Sequence, residues 1–369
     1  MRLVSRCCLL LLAVCTAPAA PAVAGTHSLG IKAPNGEQTV AYDVNARGQV
    51  AAVLEDDEGN QRGVLFEKGK LTELRALGGG YSDAKAINED GVVVGSAQGA
   101  DRHWKAFVYE RTRGMRELGT LGGDSSYGMA INRRGEVVGF ADTSNGFFHA
   151  FLADGNGVMT DLGTLGGTIS YASAMNNKGQ VVGTASMPDE YRHAFVYDPV
   201  RGMVDLGTLG GLSSSASAIN DAGVVVGASL TRERRWHAFM HDGKRMIDLG
   251  AIIGHGSSFA TGINNAGHVV GTLLIGDERQ SFVWRDGKMN IHRGGKGLHL
   301  ANAINDEELV IGATYDKRMD AGTMPSAALP VVTTGGQELT ALTFFVIGAG
   351  ALGVALRRRF IGMRGRAFA

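Results

Sequence analysis

The sequence predicts an all-β fold, a β-propeller of about seven four-stranded blades, and three observations carry that expectation. Asparagine recurs at positions 45, 88, 132, 176, 220, 264 and 305, at spacings of 41 to 44 residues, the range of a propeller blade. Each copy holds four short β-like runs; around Asn220 they are 216–219, 224–229, 237–241 and 245–249, separated by polar or glycine-bearing turns. Glycine accounts for 55 of 369 residues, roughly twice ordinary usage, which suits many tight turns better than long helices.

Residues 1–24 read as a secretory signal peptide. Arg2 and Arg6 supply the charged start, 7–15 (CCLLLLAVC) the apolar run, and Ala22-Val23-Ala24 a small-residue cleavage site. A lipoprotein signal cleaved before Cys15 is the alternative, with the bulky Val14 against it. All three cysteines, Cys7, Cys8 and Cys15, lie in this segment. The mature chain would therefore have no disulfide and no thiol chemistry.

The repeats fill 25–332. Asn-x-x-Gly, as in Asn176 to Gly179, Asn220 to Gly223 and Asn264 to Gly267, places an Asx-type side-chain bond at the start of a hairpin turn and a residue tolerant of positive φ at its end. The seven phased asparagines are thus expected to be structural turn residues. Val-Val-Gly recurs at 93–95, 137–139, 181–183, 225–227 and 269–271. This is β-branched core followed by a glycine at which neighbouring backbone can approach. Burying one such valine contributes on the order of 1.5–3 kcal/mol. The last copy is degenerate, with Glu308 in the turn-glycine phase and no Asp-Leu-Gly strand of its own, whereas Ser28-Leu29-Gly30 matches such a strand. The N-terminal strand is expected to complete the final blade. Six blades and an open β-solenoid remain as alternatives, and an open stack would leave strand edges exposed.

After a linker at 333–338, residues 339–356 (LTALTFFVIGAGALGVAL) form 18 uncharged residues, followed by a basic tail at 357–369 that opens with Arg357-Arg358-Arg359. That is long enough to span a bilayer as one transmembrane helix, with the arginines holding the tail in the cytoplasm. A buried core helix is the alternative. Lysine plus arginine and aspartate plus glutamate both total 36, and residues 25–338 keep 29 basic against 36 acidic groups. This mildly acidic exported part argues against nucleic acid as a partner.

His-Ala-Phe at 149–151, 193–195 and 237–239, with Asp-Leu-Gly-Thr-Leu-Gly-Gly at 161–167 and 205–211, resembles the HAF family of extracellular repeat proteins. The resemblance covers about 25–332. It implies bacterial export and often a C-terminal sorting tail, and it brings no catalytic positions. The tail resembles the PEP-CTERM and LPxTG sorting signals: a short motif between Leu329 and Gly336, a spanning helix and an arginine cluster. A sorting peptidase acting near Leu329 to Gly336 is the partner this implies, although Pro-Glu-Pro is absent and Leu-Pro-x-Thr-Gly is interrupted.

Catalytic spacings are absent: there is no Gly-x-Ser-x-Gly, no His-Glu-x-x-His and no phosphate loop. His149, His193 and His237 share a phase, but Gly63, Lys105 and Gln280 occupy it elsewhere. These histidines read as strand-start residues, and no metal or other cofactor is expected. The acidic run at 55–60 reads as a solvated turn. Tyr127, Tyr171 and Phe259 each stand five residues before a phased asparagine. If they lie on loops crowding one mouth of the ring they are candidate ligand-binding residues; the alternative is aromatic wedges between blades. Nearby Ser125, Ser126, Ser170, Ser257 and Ser258 would add hydroxyls for sugar contacts. The expected function is non-catalytic, namely binding or scaffolding of extracellular material such as polysaccharide, by an exported protein tethered to the membrane. The alternative is a glycan lyase or hydrolase with a carboxylate pair at the propeller mouth.

Overall fold

The structure, a computed structural model, describes residues 27–28 and 38–325 apart from 57, 76, 255, 277, 293–297, 299 and 317. The signal segment, the linker, the spanning segment and the basic tail lie outside the described residues.

Each repeat folds as an antiparallel meander, because four short runs joined by tight turns satisfy one another's backbone groups in sequence order. Sheet I comprises Gln38–Val44, Val50–Glu55, Gln61–Glu67 and Lys70–Leu74. Five further sheets follow the same plan, II to VI in chain order. Sheet II differs in having a fifth strand: its first strand is split into Gly78–Ser82 and a short Ala86–Ile87, which pairs with the next strand off the main path. The remaining sheet, VII, has Leu300–Ile304, Leu309–Asp316 and Arg318–Pro325, and its fourth strand is His27–Ser28. His27 lies opposite Thr323 and Ser28 opposite Gly322, so both ends of the chain build one sheet. Together the sheets form a β-propeller, and the first strands of neighbouring sheets touch around the inside.

The apolar core is divided among the interfaces between sheets. Val181 packs with Phe195, Ala172 and Met175 against Val138, Ala150 and Leu162 of sheet III. Val182 packs with Ala194 against Ala216, Val225 and Phe239 of sheet V. Adjacent residues of a strand point to opposite faces, so a sheet packed on both sides needs consecutive apolar residues rather than alternation. That is the physical reason for Val-Val and for Ala-Phe. The phenylalanines of this phase, Phe107, Phe151, Phe195, Phe239 and Phe282, are all fully buried. Ala41, Ala52 and Val64 of sheet I likewise pack on Ile311 of sheet VII, which closes the circle.

The asparagines do more than hold their own turns. Asn220 Oδ1 accepts the Ala222 and Val224 N–H groups at 3.1 and 3.0 Å, the local bond the motif predicts. Its Nδ2 also donates to the Asn264 carbonyl at 3.1 Å. The same donation runs from Asn45 to Asn88, Asn88 to Asn132, Asn176 to Asn220, Asn264 to Asn305, and from Asn305 back to Asn45. Asn132 Nδ2 instead meets Glu136 at 2.6 Å, and the Arg133 N–H reaches Asn177 Oδ1 at 3.0 Å across that interface. A second stitch follows one residue along: Asn177, Asp221 and Asn265 N–H groups donate to the side chains of Asp221, Asn265 and Asp306.

An Asn220→Ala protein is expected to lose about 2–3 kcal/mol rather than the ~1 kcal/mol of a single turn bond, since a buried side chain making three bonds is removed. Asn220→Asp keeps the turn acceptor and loses the donor to the next copy, so it should fall between. Chemical denaturation checks both. Equal stability of Asn220→Ala and Lys244→Ala proteins would contradict any role for the asparagine.

Candidate functional site

Antiparallel topology puts all the asparagine turns, between first and second strands, at one end of the ring. The connections between second and third strands therefore gather at the other end, where the first strands also begin.

Tyr127, Tyr171 and Phe259 lie on strands rather than on loops: Gly122–Ile131, Ser170–Met175 and Ser257–Ile263. Part of the Gly/Ser stretches that looked like connections, 122–126 and 257–258, opens these first strands and pairs with the second strand, whereas Gly166 and Gly167 precede theirs. The serines there are largely spent on structure. Ser126, Ser170, Ser214 and Ser258 are buried. Each Oγ faces an alanine N–H on the preceding sheet, as in Ser214 to Ala194 at 2.8 Å and Ser258 to Ala238 at 2.8 Å. Ser170 and Ser214 also donate to the Gly163 and Gly207 carbonyls. Ser126, Ser170 and Ser258 are thus not hydroxyls waiting for sugar.

The three aromatics fill interfaces between sheets. Tyr127, 4% exposed, stacks under Trp104 of sheet II with ring centres 6.1 Å apart and on Phe140 of its own sheet at 4.8 Å. Tyr171 meets Phe140 edge-on at 5.0 Å and Phe148 at 6.1 Å, both from sheet III. Phe259 stacks with Trp236 of sheet V at 6.3 Å. In each pair, the first strand of one sheet supplies one ring and the start of the preceding sheet's third strand supplies the other.

Between sheets IV and V the pattern breaks. Ser215 stands where Tyr127, Tyr171 and Phe259 stand, and Arg192 stands where Trp104, Phe148 and Trp236 stand. The Ser215 hydroxyl meets Thr184 at 2.6 Å, in the place where Tyr171 meets Phe140. A cleft of about 220 Å³ opens at this interface, lined by Glu190, Tyr191, Arg192, Ser213, Ser214 and Trp236. The turn 187–190, closed by Glu190 N–H to the Met187 carbonyl at 3.0 Å, presents Glu190 at φ 68. Arg192 lies 5.8 Å over the Tyr171 ring, and Tyr191 is 42% exposed at the rim. Sequence comparison of the copies singles out residues that recur, whereas Arg192 and Ser215 at this interface depart from the repeat.

His149, His193 and His237 pair through Nδ1 with Asp161, Asp205 and Asp248 at 2.8 to 2.9 Å. Each aspartate also accepts an N–H two residues on, from Gly163, Gly207 and Gly250. The histidine therefore clamps the fourth strand's exit to the third strand, which explains why His-Ala-Phe and Asp-Leu-Gly travel together. Among the described residues no group of three or more His, Cys, Asp or Glu side chains could hold a metal ion. In the acidic run, Asp56 accepts the Glu58 and Asn60 N–H groups, an Asx turn.

Two further buried acids lie on the inner side: Asp43 within Gln38–Val44 and Asp83 between Gly78–Ser82 and Ala86–Ile87. Asp83 takes the aromatic phase in sheet II; burial pushes its carboxyl above the ordinary aspartate range, against the pull of Lys85 at 3.9 Å. Lys85 Nζ in turn sits 3.8 Å over the Tyr42 ring of sheet I. Burial likewise raises Asp43, although its carboxylate accepts the Ile87 and Val44 N–H groups.

No family model and no curated protein matches the chain. Solved structures do. The β-propeller domain of the Trilobed protease from Pyrococcus furiosus, described as having an open velcro topology, is 11% identical, with a TM-score of 0.55 over 78% of this chain and 95% of that one. A puromycin-hydrolyzing peptidase of Mycobacterium tuberculosis is 12% identical, with a TM-score of 0.57 over 84% of this chain and 54% of that one. A puromycin hydrolase is 14% identical, with a TM-score of 0.56 over 86% and 58%. At these identities the similarity is one of architecture, and what the chain shares with all three is the β-propeller.

Proposed function

We propose that this chain is an exported, membrane-anchored HAF-repeat protein whose ring of seven blades, one built from both chain ends, binds or scaffolds envelope polysaccharide without catalysing its breakdown. The observation that carries the binding reading is the cleft between sheets IV and V, where an aromatic wall, a guanidinium, a carboxylate and hydroxyls converge. Such mixed apolar and polar linings are what small-ligand sites are made of. The non-catalytic reading draws support from the same lining, in which Glu190 is the single carboxylate; glycosidic hydrolysis ordinarily uses two. The anchoring reading rests on sequence: the charged and apolar start of 1–24 and the apolar 339–356 with its arginines. A sorting peptidase acting between Leu329 and Gly336 belongs to the same proposal.

Two measurements test it. Full-length protein is expected to bind at least one of cellohexaose, chitohexaose, xylohexaose, dextran and alginate in calorimetric titration, without releasing shorter products. Failure to bind any of them overturns the polysaccharide reading, and shortened products overturn the non-catalytic one. In cell fractionation the protein is expected in the membrane fraction, and truncation before Leu339 should release it outside the cytoplasm. Recovery of the full chain in the cytoplasm with residues 1–24 intact contradicts export and anchoring together.

A further inference from the structure

Three interfaces share one construction. Trp104 with Tyr127, Phe148 with Tyr171, and Trp236 with Phe259 each place two rings with centres 6.1 to 6.3 Å apart and planes 28 to 41° from parallel. At the interface between sheets IV and V the same two positions carry Arg192 and Ser215. The neighbouring position that holds Phe140 in sheet III holds Thr184 in sheet IV. Two rings and a third beside them are thus replaced by a guanidinium, a hydroxyl and a second hydroxyl, and here the cleft opens.

We infer that this cleft is a saccharide subsite created by the loss of an aromatic wedge: a pyranose of the bound polymer takes the space that the Tyr171 ring fills one sheet earlier. The inference deepens the polysaccharide reading above and rests on it. Shape comes first, since the space at this phase admits a flat six-membered ring at three other interfaces. Chemistry selects a sugar over an aromatic ligand. At this interface the Ser215 and Thr184 hydroxyls hydrogen-bond to each other, so the position that holds a ring elsewhere is polar here. One wall is the Trp236 indole, held in place by Phe259 behind it, and an aromatic face suits the C–H face of a pyranose. At the edges, Arg192 and Glu190 offer a donor and an acceptor to ring hydroxyls. Tyr191 at the open side extends the surface over which a longer chain would lie.

Ser215 is then the residue that determines whether a site exists. A Ser215→Phe change rebuilds the wedge from within. In the full-length protein it is expected to leave the melting temperature unchanged or raised, while affinity for the best-binding hexasaccharide of the panel falls at least tenfold. A Trp236→Leu protein should lose binding similarly, and sugar should no longer alter its tryptophan fluorescence. Trp104→Leu, the same phase at another interface, should bind as the unaltered protein does. If folded Ser215→Phe protein binds within twofold of the parent, the subsite is wrong while polysaccharide binding stands. Should Ser215→Phe fail to fold, unchanged affinity of the Trp236→Leu protein overturns the subsite alone. If the parent binds no member of the panel, the broader reading fails and takes this one with it.

Discussion

A Gly227→Ala protein is expected to lose about 3 kcal/mol or more of stability, beyond an ordinary core substitution. A methyl group at that position would sit inside the contact distance of the Ser215 carbonyl oxygen, 2.8 Å from Ala216 Cα and 3.0 Å from the Phe239 ring. Backbone is the obstacle, so no rotamer change relieves it. The close approach arises because each first strand is bulged: in sheet V the pairing steps from Ala216 opposite Gly227 to Ala218 opposite Val226, which pushes the inner strand onto its neighbour. Gly183 and Gly271 meet the carbonyls of Tyr171 and Phe259 in the same way. Gly243→Ala, where no atom lies within 4 Å but φ is 87°, should cost only about 1 kcal/mol. Urea denaturation of the two proteins side by side is the check, and equal losses would contradict the steric account.

Phe195→Ala is expected to cost about 3–5 kcal/mol, the range for emptying a fully buried phenylalanine site. Phe195 fills the interface between sheets III and IV together with Val138, Leu162 and Met175, and its neighbours are held by strand pairing on both sides, which limits collapse into the space. His193→Ala, by contrast, removes a clamp to Asp205 that is partly open to solvent, and should cost about 1 kcal/mol or less. A loss from His193→Ala as large as that from Phe195→Ala would mean that the His-Asp pairs, rather than the phenylalanines, hold the interfaces together.

The repeat phase, the hairpin turns and the buried Val-Val and Ala-Phe steps were legible because each depends on residues close in sequence. Positive φ at Gly179, Gly223 and Gly267 is what Asn-x-x-Gly implies. The start of the first strand was not legible. In 210–215 the composition Gly-Gly-Leu-Ser-Ser-Ser reads as a connection, yet the segment runs as part of Gly210–Ile219, because glycine admits the crowded bulge and Ser214 satisfies the preceding sheet's backbone. The outward half of each asparagine's bonding also escaped the sequence, since its acceptor belongs to the next copy. The candidate site was read only in its outline. Tyr127, Tyr171 and Phe259 share the phase of Ser215 but pack into their own interfaces, and Ser215 is inconspicuous among three consecutive serines.

The seam of the propeller lies within a sheet rather than between two. Where His27–Ser28 joins Arg318–Pro325, strand pairing reinforces the side-by-side packing and the asparagine stitch from Asn305 to Asn45. The antiparallel register brings both ends out on one side of the sheet, so pulling them apart must first peel backbone hydrogen bonds between the two strands before it can part any apolar surface. A circular permutant cut between sheets IV and V would retain every asparagine stitch, with the one from Asn176 to Asn220 now joining its first and last sheets. Its seam would be packed but unlatched, and it would open first at the face where Ser215 already leaves the interface thin.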